Sequence, residues 1–243
     1  MWLKNKFASL LLIAALGATA LAAPAPVADK NGRAKADQTQ VNEPLDIAIL
    51  IQDDVVARVG SELGVTREFI QSLPAGSRVM IGYVRAGTLQ VRQSFTEDLD
   101  QAAKALRAPT GSSTSAPYNP YVEVVEALKK FDSSPDRMKA ILLVSDGLDS
   151  SRGFDVSSTT DSIDLQRAIR EAKKRGVAIY SFYAPTVSPL SRNRFLIGYG
   201  QSALNRLSNE TGGKAFFQGT SFVTFDSYFT GLRRELNEQA AGG

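Results

Sequence analysis

The sequence contains no cysteine and no histidine. Without cysteine there is no disulfide and no thiolate nucleophile. Without an imidazole there is no Ser-His-Asp triad and no zinc site built on His. What remains for chemistry is carboxylates, Lys, Tyr, Ser and hard metals ligated by oxygen. A surplus of one charge sign is missing too. The 28 basic and 25 acidic residues give a formal charge of +3. Two of the basic residues, Lys4 and Lys6, lie in a leader-like segment, and without them the excess falls to +1. That is no electrostatic footprint for nucleic acid or anionic lipid. No internal repeat is visible, and no Gly-rich phosphate-binding fingerprint follows the first strand.

The apolar content, 43% of 243 residues, is that of an ordinary globular domain and fills a core. Residues 1–22 have the form of a secretory signal. Lys4 and Lys6 make a basic start, 7–16 is apolar but too short to span a bilayer comfortably, and Ala20-Leu21-Ala22 is a small-x-small cleavage site. The absence of Cys at the cut excludes a bacterial lipid anchor. The expectation is an exported protein, periplasmic or extracellular, with no membrane span after signal cleavage. Residues 23–43 read as a flexible linker, 44–236 as the folded domain and 237–243 as a disordered tail.

The domain is organised around residues 139–149, Lys-Ala-Ile-Leu-Leu-Val-Ser-Asp-Gly-Leu-Asp. An unbroken apolar run from Ala140 to Val144, closed by Ser145-Asp146-Gly147, predicts a strand buried on both faces. Asp146 then stands at the C-terminal edge of a parallel sheet, where open α/β sheets bind their ligands. The alternative is a plain turn in which the Asp side chain bonds its own backbone. Residues 45–51 read as a second buried strand, ending in Gln52-Asp53-Asp54. A helix carrying Leu63, Phe69 and Ile70 follows. Residues 78–85 and 88–95 read as a hairpin whose second strand lies at a solvated edge. Residues 98–106 read as a short helix. Asn119-Pro120 opens the next helix, with Asn as N-cap and Pro at the first helical position. Beyond the central strand come a helix at 165–175 capped by Gly176, a strand at 177–184, a long loop at 185–200, a helix at 202–210, a short strand at 214–217 and a helix at 225–236. The order predicts a doubly wound, mostly parallel, Rossmann-like sheet with one antiparallel edge strand and helices on both faces.

Three loops at the predicted strand ends carry Gln52-Asp53-Asp54, Asn119 and Ser145-Asp146. All these side chains offer oxygen and none is a soft ligand, a chemistry that suits Mg²⁺ or Ca²⁺ if it suits any metal. On these residues the chain resembles the von Willebrand factor A-like family over roughly 44–236. It is most similar there to the variant found in exported bacterial proteins, many of them acidobacterial. The resemblance implies the fold just read and a metal-ion-dependent adhesion site. That site has Asp-x-Ser-x-Ser after the first strand, a Thr from a second loop, and an Asp-Gly after the fourth strand. A partner's acidic residue completes the metal's ligands.

The match is partial. Asp146-Gly147 fits, and Asn119-Pro120 takes the place of the Thr. At the first strand both serines are missing. With Gln52 as the lead residue, Asp54 and Val56 stand in their places; with Asp53 as lead, Val55 and Ala57 do. Three readings follow: a dead metal site, an altered one using Asp54, Asn119 and Asp146, or another use of the pocket. The functional expectation is a non-catalytic protein-binding module, with Asp53, Asp54, Asn119, Asp146 and Arg152 toward the partner, and Arg192 and Arg194 at the same rim. The alternatives are a metal-dependent hydrolase using Asp53, Asp54 and Asp146, and a structural envelope protein with a vestigial site.

Overall fold

The computed structural model describes residues 41–85, 87–111, 119–133, 137–151, 162–186, 194–217 and 224–242. The signal segment 1–22, most of the linker, Arg152 and Arg192 lie outside the described residues.

Among the described residues six strands form one sheet. They are β1 (Leu45–Gln52), β2 (Arg78–Arg85), β3 (Thr88–Thr96), β4 (Met138–Ser145), β5 (Val177–Tyr183) and β6 (Ala215–Phe216), ordered β3-β2-β1-β4-β5-β6. All neighbours are parallel except β2 and β3, the predicted hairpin. The central strands carry near-continuous apolar runs because both faces are covered. On one face, α1 (Leu63–Gln71), α2 (Leu99–Lys104) and α6 (Asp226–Gly242) enclose Ile47, Ile49, Ile51, Leu142 and Phe182. On the other, α3 (Pro120–Leu128), α4 (Ile163–Arg175) and α5 (Arg194–Glu210) enclose Ala48, Leu50, Ile141, Leu143 and Ile179. Strand order reverses between β1 and β4, so the switch point at which such sheets bind ligands lies between Gln52 and Ser145.

The short-range signals hold. Asn119 caps α3 by accepting from the Tyr121 N–H at 3.1 Å, with Pro120 as the first helical residue. Gly176 closes α4 in the left-handed conformation. Three boundaries differ from expectation. The segment read as a loop up to Gly200 is helical from Arg194. Gly200 is there because the backbone must pass close: a Cβ on it would run into the Asp146 carbonyl. A glycine chosen for close packing looked like a breaker. The tail expected at 237–243 continues α6 to Gly242, and the Gln239 amide donates to the Gly212 carbonyl. The linker's last residues belong to the domain, since Val41 is buried in the core and the Asn42 N–H donates to Asn237 Oδ1 at 3.0 Å.

Candidate functional site

β1 and β4 end side by side, and one side chain joins them. Gln52, fully buried, accepts through Oε1 from the Ser145 hydroxyl at 2.6 Å and from the Asp146 N–H at 3.0 Å. Ser145 Oγ in turn accepts from the Gly147 N–H at 2.9 Å. Asp146 Oδ1 accepts from the Leu148 N–H at 3.0 Å, the local turn bond that the plainer reading expected. Gly147 has φ +74°, and a Cβ there would clash with Gly200. Its carbonyl accepts from the buried Tyr121 hydroxyl at 2.6 Å, which ties the turn to α3. The Asp146 carboxyl is thus buried among polar groups, with no cation beside it among the described residues. Burial, aided by nearby Asp54, pushes its pKa up to about 7, against the pull of the Leu148 N–H and the Thr186 side chain.

The adjacent aspartates Asp53 and Asp54 diverge. Arg107 grips Asp53 through both oxygens, at 2.6 and 2.9 Å, while the Thr110 N–H donates to it at 3.1 Å. The Arg107 guanidinium also lies over the Tyr83 ring, 3.9 Å from its centre. Burial would raise the Asp53 pKa, but Arg107 and the Thr110 amide outweigh it and the pKa is lowered. Asp53 is therefore a structural anchor. It was expected beside Asp54 and Asp146 in a hydrolytic carboxylate set and on the partner-facing site; the structure ties its carboxylate to Arg107 in a bidentate pair. Asp54 is half-buried, and its Oδ1 has no hydrogen-bond partner among the described residues. Burial raises its pKa, and Asp53 adds to the effect.

Asn119 is placed at the same edge but turned to other work. Its Oδ1 caps α3, and its Nδ2 donates to Asp149 Oδ2 at 3.1 Å and Asp164 Oδ2 at 2.8 Å. Asp149 also receives the Ser151 N–H and hydroxyl and the Ser162 hydroxyl. One amide thereby clasps the start of α3, the loop after β4 and the first turn of α4. Beside it Glu123 is buried with both carboxylate oxygens unpartnered among the described residues. Burial, reinforced by Asp149 and Asp164, pushes its pKa up to about 7.

The structure brings together Gln52, Asp54 and Asp146. It sets Asp53 and Asn119 apart from them by committing their polar atoms elsewhere. An oxygen-ligated metal at Asp54, Asn119 and Asp146 does not fit this arrangement. Asn119 points its amide nitrogen at acids, Gln52 turns its nitrogen away from the strand link, and Val56 offers no oxygen. Among the described residues no group of three acidic side chains is placed to hold a metal. Arg107, Asp149, Asp164 and Glu123 escaped the sequence reading. Arg107 has no local signal at all. Asp149 and Asp164 carry one, an acid beside a turn and an acid in a helix's first turn, which is common to many solvated positions.

The rim of this edge is apolar in part. Val122 in the first turn of α3, Ile163 at the start of α4 and Phe217 after β6 are all exposed. No helix of the described residues is long and apolar enough to cross a membrane.

No protein-family model and no curated protein sequence matches the chain. Solved structures do. The chain is similar to an aerotolerance-related membrane protein from Bacteroides fragilis at 12% identity, over 80% of this chain and 99% of that one, with a TM-score of 0.56. It is similar to BatB from Bacteroides thetaiotaomicron at 15% identity, over 81% and 99%, with a TM-score of 0.56. It is also similar to proximal thread matrix protein 1 of the mussel byssus, with a zinc-occupied MIDAS motif, at 12% identity over 83% of this chain and 49% of that one, TM-score 0.54. At such identities the likeness is one of fold. Together with the strand order and the single antiparallel edge pair, it gives this chain a doubly wound fold of the von Willebrand factor A type.

Proposed function

We propose that the chain is an exported, non-catalytic protein-binding module that presents the C-terminal edge of its sheet to a protein partner in the periplasm or outside the cell. Its adhesion-type metal site is degenerate. The observation that carries this reading is the pair Asp54 and Asp146, two carboxylates at the switch point that no ion pair among the described residues neutralises. Buried charge left without a counter-ion is costly, and such sites are where function is sought first. Exposed Val122, Ile163 and Phe217 supply apolar area around it, an arrangement of polar centre and apolar flank that suits a protein surface. The signal-like leader supports export. The lack of His and Cys, with Ser145 buried and bonded to an amide, argues for binding over catalysis.

The test is photo-crosslinking from position 163 in cells that produce the protein, beside Asp54→Lys with the same crosslinker. The reading expects one discrete protein adduct that disappears with the reversed charge. An adduct that survives it, or none at all, would favour a structural envelope protein with a vestigial site.

A further inference from the structure

At the last residue of β1, one of the two positions where the resemblance allows a metal's lead carboxylate, this chain has an amide, and the hydrogen bonds fix which way it faces. Gln52 Oε1 accepts from two groups, and one of them, the Asp146 N–H, can only donate. The amide therefore cannot be turned round without setting its NH₂ against a backbone N–H. The oxygen is committed to β4, and Nε2 is left over. Nε2 is buried with no hydrogen-bond partner among the described residues, and so is Asp54 Oδ1. The Gln52 side chain lies near enough to the Asp54 and Asp146 carboxyl groups to favour the ionised form of each, although its Nε2 completes no hydrogen bond with either carboxylate. A divalent cation between the two carboxylates would meet amide hydrogens, where it requires oxygen lone pairs.

We propose that Gln52 makes this edge metal-independent: its fixed amide NH₂ supplies the positive pole beside Asp54 and buried Asp146, so a partner meets the half-buried Asp54 carboxylate directly and not through a shared ion. A partner's acidic residue, the usual complement of a metal-filled site, is then repelled, and a hydrogen-bond donor is accepted. This deepens the protein-binding reading by naming how its site works. Its test requires no partner, so the two stand or fall separately.

The experiment is thermal unfolding of wild type and Gln52→Glu, in chelator and then in millimolar Mg²⁺, Ca²⁺ or Mn²⁺. The substitution keeps the accepting oxygen and puts a second carboxylate oxygen where the amide nitrogen was. The wild-type midpoint is expected to ignore all three ions. Gln52→Glu is expected to melt lower in chelator and to recover with a divalent ion, since a ligand that binds only the folded state raises its midpoint. A wild-type midpoint that rises with an ion, and no longer does so in Asp146→Asn, would overturn the proposal. So would a folded Gln52→Glu that stays deaf to metal. Should Gln52→Glu fail to fold, calorimetric titration of wild type with Ca²⁺ and Mn²⁺ decides alone: no binding heat upholds metal independence, and a saturable one refutes it.

Discussion

At the N-terminal edge of the sheet Asp46 is buried and surrounded by cations. Arg78 donates to it from Nε at 2.9 Å and Nη2 at 2.6 Å, and Arg137 Nε stands 3.0 Å away without donating. Arg78 reaches on to exposed Asp132 at 2.7 Å. At the opposite edge Asp146 is buried as well, and its neighbours are a backbone N–H, the neutral Thr186 and Gln52 side chains and a second acid. A buried aspartate is thus neutralised by arginines at one edge, while among the described residues no cation pairs with Asp146 at the other. The first edge is built for stability. The second holds a buried acid whose ionised form burial disfavours, a cost of the kind tolerated at sites kept for binding.

The largest effect is expected at the arginine-paired edge. Asp46→Ala leaves Arg78 and Arg137 facing an emptied acceptor and should cost about 4 kcal/mol, the usual range for breaking a buried pair, read by urea unfolding. A loss no larger than that of a surface substitution would remove the contrast. The next effect lies near the binding edge. Glu123, pushed up to about 7 by burial and by Asp149 and Asp164, stays protonated in the folded chain at pH values where the unfolded chain is ionised. The unfolded state then binds fewer protons, so stability falls as pH rises from the ordinary Glu value to about 7 and levels off above it. That component, roughly 3 kcal/mol by linkage, should vanish in Glu123→Gln. Unfolding both proteins across that pH window measures it, and parallel curves would show that Glu123 ionises normally. The smallest effect sharpens the binding side. Ile163 is 63% exposed, so Ile163→Glu should change stability by less than about 0.5 kcal/mol. It should still weaken partner capture, and unaltered capture would take the apolar rim out of the site.

Much of the architecture was legible because its signals are local. Unbroken apolar runs marked β1 and β4, Asn119-Pro120 marked a helix start, and Gly176 marked a helix end. What misled was glycine and the chain's end. Gly200 serves close packing against Asp146, and residues 237–242 are held by bonds to Asn42 and Gly212, partners far away in sequence. The site was half legible. Whichever of Gln52 and Asp53 takes the lead position, the missing serines already weakened the match to a metal site. The separation of Asp53 from Asp54 was not readable. It depends on Arg107, which reaches Asp53 across 54 positions of sequence. Asn119 likewise looked like a ligand until Asp149 and Asp164 were seen to hold its amide. Residue type gives the available chemistry, and long-range partners decide which atoms remain unused.

The C-terminal edge keeps at Asp146 a buried carboxyl with no counter-ion among the described residues, whereas Asp46 and Asp53 are paired with arginines. Carbon-13 NMR titration of the aspartate side chains tests it residue by residue. The account predicts that Asp146 changes state near pH 7, and that Asp53, close by but held by Arg107, does so below the ordinary aspartate value. An Asp146 that titrates together with the exposed aspartates would mean that its charge is already compensated. The contrast between the two edges, and the binding role drawn from it, would then fail.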